Sequence, residues 1–128
     1  MTPQTRALLD LSASDLAAAR RDLAASDPRV AVSRAYYAAF HAACAALNSR
    51  GLEAKTHAGT HALFGEHFVR TGLLDRVHSR SLNQLLQLRE GADYEVGRTI
   101  TMEDGLDSVD RAVAFVEAVE ALLAERPA

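Results

Sequence analysis

Apolar residues recur at helical spacing along almost the whole chain, and the breaks in that pattern mark five segments. Leu8, Leu9, Leu11, Leu16, Ala19 and Leu23, with arginines and aspartates between them, predict a first helix over roughly 4–25. Ser26-Asp27-Pro28 then sets a capping side chain ahead of a proline at a first helical position, so a second helix is expected from about Pro28 to Asn48. Ser49-Arg50-Gly51 stops it, because glycine takes the left-handed cap without a Cβ penalty. A loop through Glu53 and Lys55 follows. Thr56 or Thr60 opens a shorter helix carrying Leu63, Phe64, Phe68 and Val69, closed by Thr71-Gly72. Leu74, Val77, Leu82, Leu85, Leu86 and Ala92 mark a fourth helix, expected to fray near Gly91 or Gly97 because glycine costs about 1 kcal/mol in a helix interior. Thr101-Met102-Glu103-Asp104 resembles a capping box. The stripe Val109, Ala112, Val113, Val116, Val119, Leu122 and Leu123 then defines a fifth helix that reaches the C-terminal tail.

Four long amphipathic helices and a short one, joined by short connections, predict an all-α, up-and-down helical bundle forming a single domain over 1–128. Composition agrees: 48% of the 128 residues are hydrophobic, with 7 Gly, 3 Pro and no Trp, enough to bury roughly two-thirds of the unfolded surface. Met1 to Asp10 carry Arg6 and Asp10 and lack the apolar stretch of a secretory signal. The most apolar run, Ala35 to Leu47, is interrupted by His41 and is shorter than the about 20 residues a membrane span needs. Cys44 is the lone cysteine and reads as a small buried filler, with no disulfide to make. A cytoplasmic location is expected. The net charge of -3 gives no overall basic footprint for long duplex nucleic acid, although a local patch is compatible with it.

Candidate chemistry concentrates on helices two and four. In Ser33-Arg34-Ala35-Tyr36-Tyr37-Ala38-Ala39-Phe40-His41, helical geometry groups Arg34, Tyr37 and His41 with Ala38 and Ala45, and sets Tyr36, Phe40, Ala43 and Leu47 on the opposite side. Helix four aligns Leu82, Leu85, Leu86, Arg89 and Asp93, putting two charges in line with core leucines. An unpaired buried charge costs several kcal/mol, so Arg34, Arg89, Asp93 and one or both of Tyr37 and Tyr94 are expected to form a buried polar lock between the two helices. His57 and His61 stand four apart with His67 nearby, but no carboxylate completes a metal motif, and neither a metal nor a cofactor is expected. Lys55-Thr56-His57 at a helix start suits a small anion better, because orphan amides and a cation point the same way. No phosphate-binding glycine loop, nucleophile elbow or paired-carboxylate spacing is present.

RAYYAAFHAACAAL on helix two, KTHAGTHALFGEHFVRTG through the loop and helix three, LREGADY on helix four and the stripe from Thr101 to Leu123 together resemble the HEPN superfamily, in its small single-domain bacterial and archaeal branch. The resemblance implies a four-helix bundle with an added short helix, commonly a homodimer and often encoded beside a minimal nucleotidyltransferase as a toxin–antitoxin pair. Many members are metal-independent ribonucleases whose signature is an Arg followed, after four to six residues, by a His. Arg34 and His41 have that spacing, while on helix four Arg89 is followed after four residues by Tyr94. The resemblance therefore implies Arg34, His41 and Arg89 as catalytic residues, with an imidazole relaying a proton for 2′-hydroxyl attack and arginine countering the charge. Tyr37, Lys55, His57, Asp93 and Tyr94 are the expected nucleotide- or RNA-binding residues, and Tyr37 and Tyr94 the candidate acceptors of a nucleotidyl group from the partner. The alternatives are a non-catalytic nucleotide- or RNA-binding adaptor and a structural dimerisation module.

Overall fold

The structure is a computed structural model and describes residues 1–124. Its elements are α1 (Pro3–Ala24), α2 (Pro28–Asn48), α3 (His57–Phe64), a π-helical segment (Gly65–Val69), α4 (Arg76–Tyr94) and α5 (Met102–Ala124). The all-α bundle predicted from the spacing is what forms. The part of the fifth helix assigned to the C-terminal tail beyond Ala124 lies outside the described residues.

Each long helix starts where a side chain takes up an orphan amide. Thr2 accepts from Thr5 N, Asp27 from Val30 N and Asp75 from Val77 N, with prolines at the starts of α1 and α2 fixing the helical φ in advance. At α5 the capping box closes both ways: Thr101 Oγ1 accepts from Asp104 N, and Asp104 Oδ2 accepts from Thr101 N, both at 3.0 Å.

Helix α2 is the centre of the bundle. Its alanines at 35, 38, 39, 42, 43, 45 and 46 are fully buried, so neighbours approach its backbone on more than one side. α1 runs antiparallel to it, tied at one end by Thr5 Oγ1 donating to Asn48 Oδ1 at 2.6 Å and midway by Ser12 Oγ donating to the Ala38 carbonyl at 2.7 Å. α4 also runs antiparallel to α2: Arg29 at the start of α2 donates to the carbonyls of Ala92 at the end of α4 and of Arg98 in the connection after it. α5 begins beside the start of α2: a Cβ at Gly105 would stand 3.0 Å from Pro28 Cβ and 2.8 Å from Leu23 Cδ2. The core between them is filled by Tyr36, Phe64, Phe68, Leu82, Leu85 and Phe115.

Two boundaries differ from the sequence pattern. Helix three does not continue as one α-helix to Thr71: after Phe64 it widens into a π-helical turn that still buries Phe68 and Val69. Helix four starts at Arg76, not Leu74, and passes unbroken through Gly91. Gly91 is not a weak point there, because its missing Cβ makes room for Arg98, whose guanidinium would lie 2.7 Å from such a carbon. The helix stops at Tyr94, and Gly97 takes the left-handed conformation with φ +88°. Among the described residues no helix is long and apolar enough to cross a membrane.

Candidate functional site

The side chains singled out on α2, α3 and α4 come together around one ring, that of Tyr37. The Arg89 guanidinium lies 5.0 Å from its centroid, and the imidazoles of His41 and His57 are centred 5.9 Å and 6.1 Å from it. Arg89 also stands 5.8 Å from the rings of both Tyr36 and Tyr94, so three tyrosines surround a single cation. On the other side, Phe40 stacks on His57 with centroids 4.1 Å apart and planes 12° from parallel.

Each imidazole has one nitrogen fixed. Nδ1 of His41 is 2.7 Å from Oδ2 of Asp15 on α1. A carboxylate only accepts, so Nδ1 carries the proton and Nε2 of the neutral ring keeps its lone pair. Nδ1 of His57 is 2.8 Å from the Tyr36 hydroxyl, which is also 3.0 Å from Nε2 of His61. Burial pushes the pKa of His57 down, and the charges of Arg89 and His41 push it the same way. Burial also lowers His61, with His57 adding to the effect, and it raises Tyr36 well above the ordinary phenol range despite the opposing Arg89 charge. At neutral pH the Tyr36–His57–His61 group is therefore uncharged.

The lowered histidines predict a pH dependence of stability. His57, His61 and His78 are all held below their ordinary value by burial first, while in the unfolded chain they titrate near about 6.5. As pH falls through that value the unfolded chain binds protons that the native one refuses, so stability falls until the lowered native pKa values are reached. Thermal unfolding should therefore show a melting temperature that drops between about pH 7.5 and 5.5. A flat or rising profile would contradict the neutral imidazoles.

The lock expected between α2 and α4 takes a different form. Asp93 does pair with Arg89, with Nε to Oδ2 at 3.1 Å, and it accepts a 2.8 Å hydrogen bond from Ser33 of α2. Arg34 is not part of it: its Nε lies 2.9 Å from Asp22 Oδ2 on α1 and its side chain is half exposed. The helical phase explains this, since Arg34 lies on the flank of α2 that meets α1, whereas Ser33 faces α4. Arg34→Ala is thus expected to cost about 1–2 kcal/mol, because the arginine itself is solvent-screened but its loss leaves the buried Asp22 Oδ2 unpaired, and to leave the Arg89–Asp93 pair intact. A loss above about 2 kcal/mol in denaturant unfolding would contradict that placement.

The division of helix two into opposite faces is corrected as well. Tyr36 and Phe40 adjoin Tyr37 and His41 to make one continuous aromatic surface, with Tyr36 and Tyr37 centroids 5.4 Å apart. Tyr94 is 70% exposed at the end of α4, within reach of Arg89. Lys55 is exposed on the loop two residues before His57. Cys44 is half-buried rather than enclosed, beside Thr60, and burial raises its thiol pKa. Among the described residues no three of His, Cys, Asp and Glu are grouped to hold a metal ion. Nδ1 of His57 and Nε2 of His61 are both met by the Tyr36 hydroxyl. Three contributors lie outside the sequence prediction: Asp15, Tyr36 through its hydroxyl, and Ser33. Asp15 carries a signal, because Ser12, Asp15, Ala19 and Asp22 share the face of α1 turned to α2.

Comparison with known proteins agrees with this architecture. A family model described as the HEPN domain matches residues 5–122. A protein named "Putative toxin MJ0605" from Methanocaldococcus jannaschii is 34% identical over 122 residues, spanning 95% of this chain and 90% of its own length. The UPF0332 protein glr0978 of Gloeobacter violaceus is 42% identical over 96 residues, spanning 73% of this chain and 75% of its own. A UPF0332 protein of Thermotoga maritima is 32% identical over 93 residues, spanning 73% and 70% respectively. With a match that runs from α1 almost to the end of α5, the chain belongs to the HEPN domain family.

Proposed function

We propose that the protein is the toxin-like member of a two-component module with a minimal nucleotidyltransferase, and that it binds RNA and cleaves it without a metal at the surface around Tyr37. The observation that carries the chemistry is the pair of imidazoles, each with one nitrogen fixed, beside a ring that also carries Arg89. The toxin designation of the archaeal relative supports the biological role.

Cleavage of RNA by its own 2′-hydroxyl needs a base for that hydroxyl, positive charge at the phosphate and a proton for the leaving 5′-oxygen. His41 supplies the base: Asp15 holds its ring so that Nε2 presents a lone pair. Arg89 supplies the charge, held over Tyr37 and paired through Nε with the partly exposed carboxylate of Asp93. Tyr37 and the exposed Tyr94 offer ring faces on which unpaired bases stack, which favours single-stranded RNA over duplex. Lys55 adds a cation beside His57 for a neighbouring phosphate. The protein acts as a homodimer, as the family resemblance implies.

The test is cleavage of end-labelled single-stranded RNA in excess EDTA. Wild-type protein should produce 2′,3′-cyclic phosphate ends, and His41→Ala should lower the rate by about 100-fold or more, the usual worth of a general acid or base. RNA binding without cleavage would leave the non-catalytic adaptor, and neither binding nor cleavage would overturn the proposal.

A further inference from the structure

The Tyr36 hydroxyl sits between two imidazoles that open onto different surfaces. His57 faces the Tyr37 cluster, while His61 borders a separate cleft of about 380 Å³, together with Gly65, Arg70, Arg76 and Ser79. Tyr36 itself is fully buried, and its oxygen is 2.8 Å from Nδ1 of His57 and 3.0 Å from Nε2 of His61. A phenol has one proton, so it donates to only one of these nitrogens and must accept an N–H from the other. Two arrangements satisfy the three groups, and when one ring carries an additional proton they differ by a concerted shift of two protons that moves the charge from one ring to the other.

We propose that His61, Tyr36 and His57 form a proton relay that carries a proton from the cleft beneath α3 to Nε2 of His57 in the Tyr37 cluster, with Tyr36 and His61 as positioning residues. Starting from an imidazolium at His61, its Nε2–H bond breaks as an O–H bond forms on Tyr36. The original Tyr36 O–H bond breaks as an N–H bond forms at Nδ1 of His57. The charge then resides on His57, with Tyr36 neutral before and after. On the proposed RNA-cleaving function, on which this step rests for its destination, Nε2–H of His57 is given to the leaving 5′-oxygen while His41 takes the 2′-hydroxyl proton. The path is reset by the reverse shift: solvent protonates Nε2 of His57, the Nδ1 proton returns to Tyr36 as the Tyr36 proton returns to Nε2 of His61, and His61 is again the imidazolium.

The charges around the path suit transfer rather than storage. Arg89 of α4 and His41 of α2 bear on His57. Tyr36 is faced by Arg89 and Glu90 of α4 and by Tyr37 and Cys44 of its own helix. His61 meets His57, with Arg70 and Arg76 on the cleft side. Burial, and after it the Arg89 charge, lowers the pKa of His57, so an imidazolium there gives up its proton more readily than a free one, as a donor to an alkoxide leaving group requires. Stacking on Phe40 holds the His57 ring in the plane that keeps Nδ1 on the phenol.

The test is an NMR pH titration of the full chain carrying 15N-labelled histidine, in wild type, Tyr36→Phe and His61→Asn. In wild type the ring nitrogens of His57 and His61 should report fixed tautomers, and each ring should show the other's step in its own curve. Tyr36→Phe, which keeps the ring and removes the oxygen, should abolish the shared step and release both tautomers. His61→Asn, at the solvent-facing end, should leave His57 with a single step. Loss of the shared step in both variants supports the relay whether or not the wild type cleaves RNA. Histidine curves in Tyr36→Phe that superimpose on those of wild type overturn it, and if wild type still cleaves RNA, only the relay falls. If Tyr36→Phe does not fold, His61→Asn decides the matter: an unchanged two-step His57 curve overturns the relay.

Discussion

Arg89→Ala is expected to lower the rate of metal-free RNA cleavage about 100- to 1000-fold while moving thermal stability little, because removing one well-placed donor to a developing oxyanion typically costs that much. The same charge contributes only modestly to the fold, through the three tyrosine rings around it and one partly exposed carboxylate. Its Nε is buried without a hydrogen bond among the described residues, and the pairing with Asp93 at 3.1 Å runs to a partly exposed carboxylate that Ser33 continues to serve when the arginine is gone. Arg89→Lys should recover only part of the rate, since an ammonium keeps the charge and loses the planar fork that meets two phosphate oxygens. The check is a comparison of cleavage rates and melting temperatures for the three proteins. A rate loss matched by loss of folded protein would assign Arg89 to the fold, and an unchanged rate would remove it from the site.

The second large effect is on stability. Phe115→Ala is expected to cost about 3–5 kcal/mol, the range for emptying a buried aromatic position. Phe115 is fully enclosed, its ring is 5.0 Å from that of Phe64, and the edge of His78 meets it at 5.9 Å. The loss should also reach the site, because Phe64 is the last residue of the helix that carries His57 and His61. Urea unfolding should show a lower midpoint with an unchanged slope. A cost below about 1 kcal/mol would mean that the α3–α5 contact is not part of the core.

The helices are legible in the sequence because their ends are written locally. Pro28 after Asp27, Gly51 after Arg50 and Thr101 before Asp104 each act through amides within a turn, and each boundary falls where those residues put it. The π-helical turn after Phe64 is not legible, since the pattern of Leu63, Phe64, Phe68 and Val69 suits either helix and the choice is made by packing against Phe115 and Arg50. On helix four, Gly91 looks like a breaker in isolation; its purpose depends on Arg98, seven residues on, folding back against it. At the site, periodicity brings Tyr37 and His41 to one face and Arg89 to the core stripe, and the family resemblance singles out the same residues. Periodicity does not choose Arg34's partner. Asp22 and Asp93 are both carboxylates within reach of a helix-two arginine, and only the phase of α1 against α2 decides between them. Tyr36 reads as a core ring, which it is; that its hydroxyl meets two histidines from another helix depends on where α3 docks.

The most direct test of the central claim, that RNA is held around Tyr37, is to titrate the 15N- and 13C-labelled protein with a 2′-O-methyl oligoribonucleotide, which binds but cannot be cleaved by its own hydroxyl. The account predicts that the resonances of the His41 and His57 rings, the Tyr37 ring and the Arg89 Nε shift together and saturate together. Shifts confined to the separate groove between α4 and α5, where Arg98 and Arg111 lie, or no shifts at all, would contradict it.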